Sequence, residues 1–323
     1  MSLTLDNVLS GAKTVAIAGH VRPDGDCVGS CMGLYNYLDT VYPEIEAQVY
    51  LEPIPEVYRF LKNTDKVKVV EGNEPQYDLF ICLDCGEISR LGAAGDIFTN
   101  AKRTFCVDHH ISKHDFADDN YVYPKASSTS ELLCELMDMD KVTKEAAECL
   151  YTGIVDDTGV FQYDCTSSKT MNVAGALMDK GINYSSLIER TFFEKTYAQN
   201  RILAEALLNA KLHDGGRIIS TWLSKAKMDE YGVEASDTEG IVEQLRTTKG
   251  VDVALFLHEN NDGTYKGSLR ASVDVNLVNV AALYSGGGHA KAAGFTATGD
   301  PESEIIPKLL DGIRSELSNA GIM

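Results

Sequence analysis

The sequence predicts an α/β protein: a mostly parallel-sheet domain joined by a helical connector to a smaller α/β C-terminal domain. Three observations lead there. The first 160 residues alternate short apolar runs with helix-like segments, the pattern of a parallel sheet with helical crossovers. Residues 168–210 read as helix after helix with few turn signals. Asp214-Gly215-Gly216 then breaks the pattern, and a new set of strand-like runs begins. A chain of 323 residues holds about two domains at ~100–200 residues each. The expected divisions are 1–188, a connector at 189–214, and 215–323.

Taken in order, residues 13–20 are strand-like and 26–39 helix-like; 46–51, 78–84 and 103–108 are further apolar runs, followed by 129–137 and 143–155. Residues 15–18, 79–83, 104–107 and 152–155 are mostly apolar and β-branched, as buried strands or packed segments should be. In the second domain, RIISTWL (217–223), VDVALFLHE (251–259) and YKGSLRAS (265–272) are strand-like, and a helix closes the chain near 302–318.

Each of the four apolar runs in the first half ends in an acidic cluster: His20-x3-Asp24-Gly25-Asp26, Asp84, Asp108-His109-His110 and Asp156-Asp157. In open α/β sheets ligands bind beyond the carboxyl ends of the strands, so the clusters are expected to converge at four strand ends. Gly25 is expected to permit a bend that points Asp24 and Asp26 at different ions, and Gly29 with Ser30 to let the helix start close to the sheet. Carboxylates and imidazoles suit divalent ions such as Mn2+ and Mg2+. Four buried carboxylates, Asp24, Asp26, Asp84 and Asp157, would resist joint ionisation without cations. Two divalent ions balance them, with His20 and His109 as neutral ligands, and two such ions clamp the attacking and leaving oxygens of a phosphoryl transfer.

Composition narrows the partners. The formal net charge of -19 argues against long nucleic acid, whose affinity comes largely from Lys and Arg on phosphates. A short anionic substrate stays compatible. No apolar stretch approaches the ~20 residues of a membrane span, and the first residues lack a basic start and apolar core, so a soluble, cytoplasmic protein is expected, with no membrane partner. The eight cysteines are read as free thiols behaving as small hydrophobes, Cys82-x-x-Cys85 included. The oligomeric state is open, a homodimer being one option.

The four N-terminal motifs resemble those of the DHH phosphoesterase superfamily, named for the motif present here as Asp108-His109-His110. The resemblance places His20, Asp24 and Asp84 on one ion and Asp26, Asp84, His109 and Asp157 on the other, with Asp84 as bridge. It puts His110 beside the scissile phosphate and Asp108 in support of the histidines, so His110, Asp108 and Asp84 are the catalytic candidates. The fourth motif departs from the family's usual TGIxTDTGxF: TGIVDDTGVF (152–161) has Asp156 where a neutral residue is usual, leaving the choice between Asp156 and Asp157 as ligand open.

In the second domain, GSLRAS (267–272) and SGGGHAKAAGF (285–295) set an Arg, two Ser and a His around a triple-glycine loop. Gly286, Gly287 and Gly288 would allow close approach of a phosphate or base, and Arg270 can grip a phosphate bidentately, with Ser272 and His289 beside it. Arg90, after the second motif, is a further Arg that could face substrate. GGGHxxAAG resembles the signature of the DHH-associated C-terminal domain. Both domains together resemble the stand-alone nanoRNase/pAp phosphatase branch. That implies a Mn2+-dependent hydrolase of short oligoribonucleotides, or of the 3'-phosphate of pAp, working through a bridging hydroxide in the cleft between domains. The alternative is a cyclic-di-AMP or pApA phosphodiesterase. A RecJ-like exonuclease lacks the needed length and charge here, and a catalytically silent nucleotide sensor would have lost a ligand, whereas every position is filled.

Overall fold

The computed structural model describes residues 3–110 and 116–323. The chain divides into two compact units, 1–194 and 195–323.

The first unit begins with α1 (Leu5–Leu9), β1 (Thr14–Ala18), α2 (Gly25–Val41) and β2 (Glu46–Tyr50). It continues through β3 (Leu79–Leu83), α3 (Ala94–Asn100), β4 (Thr104–Asp108) and β5 (Asp119–Val122). It closes with α4 (Thr129–Leu136), α5 (Lys144–Asp157), α6 (Ser168–Met178) and α7 (Tyr184–Ile188). Its five strands run parallel in the order β2-β1-β3-β4-β5. Because side chains alternate along a strand, Val15, Ile17, Leu79, Ile81, Leu83, Phe105 and Val107 face a core built with α2, α4, α5 and α6. Ala16, Ala18, Phe80, Cys82 and Cys106 face a second core with Ile97 and Phe98 of α3. Burial on both faces explains why β1, β3 and β4 read as continuous apolar runs.

The fourth apolar run is not a strand. Residues 152–155 lie in α5, so the Asp156-Asp157 cluster sits at a helix C-terminus, not at a fourth strand end. Gly29 does not bring α2 to the sheet; it faces α5, where an added Cβ would lie 2.6 Å from the Cys149 carbonyl oxygen. Gly25 is the first residue of α2, and its missing side chain makes room for Asp156.

The second unit holds α8 (Tyr197–Leu208), β6 (Lys211–His213), β7 (Ile218–Leu223), α9 (Lys225–Tyr231), α10 (Ile241–Arg246), β8 (Val253–Glu259) and β9 (Tyr265–Ala271). It ends with α11 (Leu277–Ala281), β10 (Gly287–His289), β11 (Ala292–Ala297) and α12 (Ile306–Asn319). Its mixed sheet has the order β10-β11-β9-β8-β7-β6. One face packs on α11 and α12 and the other on α8, α9 and α10. Helix α8, expected within a connector, is part of this unit: Ile202 and Ala206 are buried against Ile219 and Phe256. The triple glycine is not a free loop, since Gly287–His289 pair with β11. Among the described residues no helix is long and apolar enough to cross a membrane.

Candidate metal centre

The carboxyl ends of β1, β3 and β4, the N-terminus of α2 and the C-terminus of α5 bring the predicted ligands together around Asp84. Asp84 follows β3 directly, is buried, and has φ 52, the left-handed region that a non-glycine residue enters only when its surroundings hold it there. Its two oxygens divide between two sets of donors. Oδ2 lies 3.4 Å from His20 Nε2, and Oδ1 lies 3.5 Å from His109 Nε2. His20 Nε2 is also 3.3 Å from Asp24 Oδ2, and His109 Nε2 is 2.9 Å from Asp157 Oδ2. Ligand atoms of Asp26, His109 and Asp157 lie within 4.8 Å of one another, as do those of Asp84, His109 and His110.

Several of the candidate residues are held in place by a neighbour. His20 Nδ1 lies 2.9 Å from the Val21 carbonyl, which leaves Nε2 for the carboxylates. Asp24 caps α2 by accepting from the Cys27 N–H at 3.1 Å and is half exposed. Asp26 is buried, and both its oxygens accept backbone N–H groups, from Thr129 at 2.7 Å and Ser130 at 3.0 Å. His110 Nδ1 sits 2.7 Å from Asp108 Oδ1. The structure thus separates the two aspartates of the fourth motif. Asp157 joins the donor cluster, whereas Asp156 accepts from the Gly25 N–H and the Tyr58 hydroxyl, both at 3.0 Å.

The electrostatics fit a site built for cations. Burial opposes charge on His20, yet hydrogen bonds to Asp24 and Asp84 outweigh it and push its pKa up to about 11. His109 is likewise disfavoured by burial but carried to about 12 by Asp157 and Asp84. Burial, then the charges of Asp84 and Asp157, raise Asp26 well above the carboxylate range, and burial lifts Asp157 to about 6. Such a cluster needs positive charge, from protons or from metal ions. Asp157 Oδ2 is buried beside His109 Nε2, and a carboxylate oxygen keeps further lone-pair capacity that a cation can use. Four carboxylates and two imidazoles are a donor set that Mn2+ and Mg2+ accept.

The sequence reading missed three contributors. Cys27 Sγ groups with His20 and Asp84, and burial first of all holds its pKa well above the normal thiol value. Thr129 and Ser130, whose N–H groups hold Asp26, stand in a Ser-x-x-Glu capping pattern, Ser128 to Glu131, that marks a helix start.

In the second unit, Ala292 pairs with Arg270 on one side and His289 on the other. Those two residues therefore share a rung of the sheet, roughly 10 Å apart at two strand spacings. Arg270 Nε is 3.4 Å from Glu243 Oε1, and His289 is exposed. The Ser272 hydroxyl donates to the Val251 carbonyl at 2.8 Å. Gly286 is closely confined by Gly294 and Phe295, Gly287 is open, and Gly288 has φ +141.

Both units match known domain families. Residues 14–154 match the DHH family N-terminal domain and residues 215–319 the DHHA1 domain. The chain is 30% identical over 312 residues to the bifunctional oligoribonuclease and PAP phosphatase NrnA of Thermus thermophilus, covering 96% of this chain and 92% of the relative. It is 28% identical to the protein of the same description in Bacillus subtilis, covering 95% of this chain and 96% of the relative. An exopolyphosphatase-related protein from Bacteroides fragilis superposes with a TM-score of 0.89 at 25% identity, covering 98% of this chain and 96% of that one.

Proposed function

This chain belongs to the DHH family, a family of metal-dependent phosphoesterases, and we propose that it hydrolyses short oligoribonucleotides and removes the 3'-phosphate of pAp. The observation that carries this reading is the division of the Asp84 oxygens between His20 and His109, inside a chain that resembles oligoribonuclease/PAP phosphatases along nearly its whole length. His20, Asp24 and Asp84 would hold one divalent cation and Asp26, Asp84, His109 and Asp157 a second, with Mn2+ as the favoured ion. When bound, the two cations supply Lewis-acid charge and acidify water.

The chain's own groups do the rest. The hydrogen bond to Asp108, first of all, raises the pKa of His110, which would favour proton donation from its ring to a phosphoryl oxygen. Asp108 orients that ring. Arg270, with His289 on the same rung and the open Gly287, is the proposed recognition surface for a second phosphate or the rest of the nucleotide.

A net charge of -19 offers no extended cationic track, which favours substrates of a few nucleotides. The test is kcat/KM with Mn2+ over a ladder of single-stranded RNA lengths, beside pAp, pApA, cyclic-di-AMP and pyrophosphate. The expected result is a steep fall from dinucleotides to oligomers of about ten, since a processive exonuclease would hold or gain affinity as the strand grows. A flat or rising profile, or preference for pyrophosphate or cyclic-di-AMP, overturns the proposal.

A further inference from the structure

Five consecutive polar residues, Ser127, Ser128, Thr129, Ser130 and Glu131, are buried to 1% exposure or less. A run of polar side chains so deep needs a purpose for every donor and acceptor. Glu131 anchors it from below, accepting from the hydroxyls of Ser127 and of Thr170 on α6 at 2.5 and 2.7 Å. Ser128 caps α4 by accepting from the Glu131 N–H at 3.0 Å. From above, the run meets the metal centre. The Thr129 N–H holds Asp26 Oδ2, and the Thr129 hydroxyl donates to Asp84 Oδ1 at 3.4 Å. That Asp84 oxygen is the one 3.5 Å from His109 Nε2. Thr129 thus touches two carboxylates of the donor set, one from α2 and one from the end of β3, and belongs to neither element. The Ser130 hydroxyl beside it is buried next to the Asp26 carboxylate.

We propose that Thr129 is a positioning residue that sets the separation and orientation of the Asp26 and Asp84 carboxylates, and through them the affinity of the centre for divalent cations. The inference rests on the two-cation reading above. Partners of this kind, behind the ligands themselves, change metal affinity by about 10–100-fold when removed.

The experiment is calorimetric titration of Mn2+ alone into metal-free wild type, Thr129→Val, Thr129→Ser and Thr129→Ala, with urea unfolding of each. Thr129→Val keeps the shape and the backbone N–H but loses the hydroxyl; Thr129→Ser keeps the hydroxyl and loses the methyl. The expected result is Mn2+ affinity about 10-fold weaker in the Val and Ala variants, with Thr129→Ser close to wild type. Thr129→Ala carries the test if Thr129→Val does not fold. Wild-type affinity in the hydroxyl-free variants, or an equal loss in Thr129→Ser, overturns the role of Thr129 while leaving the cation reading standing. Wild type that binds no Mn2+ overturns both.

Discussion

Gly29→Ala should damage stability and chemistry together, because the two share one helix contact. An added Cβ would fall 2.6 Å from the Cys149 carbonyl oxygen, 2.8 Å from Gly153 N and 3.0 Å from Gly153 Cα. All three are main-chain atoms of α5, so no side-chain rotation relieves the overlap. Restoring an ordinary contact of roughly 3.5 Å parts α2 from α5 by about 0.9 Å. Overpacking costs about 3 kcal/mol at the upper end, and the better helix propensity of Ala returns about 1 kcal/mol. The net loss is then about 2 kcal/mol, a fall in Tm of roughly 4–8 °C for a unit of this size. The same displacement reaches the donors, since α2 carries Asp26 in its first turn and α5 ends at Asp157. Metal sites tolerate about 0.2 Å, and a misplacement of about 1 Å can cost ~100-fold in rate. Urea unfolding followed by circular dichroism, with Mn2+-dependent hydrolysis of a dinucleotide, measures both. Gly175→Ala in α6 is the control: nothing lies within 4 Å of its added Cβ, so it should be neutral or slightly stabilising. Wild-type stability and rate in Gly29→Ala would refute the argument.

Three further perturbations separate the parts. Asp84→Asn should lower kcat roughly 100-fold or more, chelation should abolish turnover and Mn2+ restore it; an unaffected Asp84→Asn rate, or full activity of metal-free enzyme, contradicts the bridging role. Arg270→Ala should reduce kcat/KM for pAp and dinucleotides by about 10–100-fold, the worth of a charged hydrogen bond, with metal content unchanged by elemental analysis; lost metal or unchanged hydrolysis contradicts it. His258 in β8 is buried with Nε2 unpartnered, and burial, then the charge of Lys266, lowers its pKa to about 4. The unfolded chain then binds a proton near 6.5 before the folded one does. The stability owed to the neutral ring is therefore full above 6.5 and is lost as pH falls toward 4, by about 2–3 kcal/mol. From pH 7.5 to 4.5 the stability of wild type relative to His258→Met in urea unfolding should fall by about 2–3 kcal/mol, and a pH-independent difference would be the contrary result.

The sheet of the first unit was legible because burial on both faces turns β1, β3 and β4 into nearly unbroken apolar runs, each followed within two residues by a member of the donor cluster, His20, Asp84 or His109. Arg270 and His289 were legible as candidates from their motifs, but not their shared rung, which depends on the pairing of β11 with two other strands. The division of labour between Asp156 and Asp157 was out of reach for a related reason. Adjacent residues at the end of a helix point in directions about 100° apart, and only the position of Gly25 and Tyr58 tells which of them looks away from the donors.

The misreading of residues 152–155 as a possible strand has a physical cause that also explains the site. Thr152, Gly153, Ile154 and Val155 are buried almost completely because α5 is covered on several sides, so no polar stripe shows a helical period. A helix can be enclosed that tightly only if its neighbours come close, and the close approach is made by glycine: a Cβ on Gly153 would fall 2.1 Å from Ser130 Oγ and 2.6 Å from Asp26 Oδ1. The residue that erased the helical signal is thus the one that lets α4 and α2 meet α5 at the carboxylates. Placing Asp26 under two backbone N–H groups and beside Asp157 requires that there be no side chain at 153. For that reason Gly153→Ala should weaken Mn2+ binding more than Gly29→Ala does, although its clash involves side-chain atoms that can move and should cost less stability. Calorimetric Mn2+ titration and urea unfolding of the two variants side by side decide this, and the opposite ranking in affinity would show that helix separation, not crowding of Asp26, governs the centre.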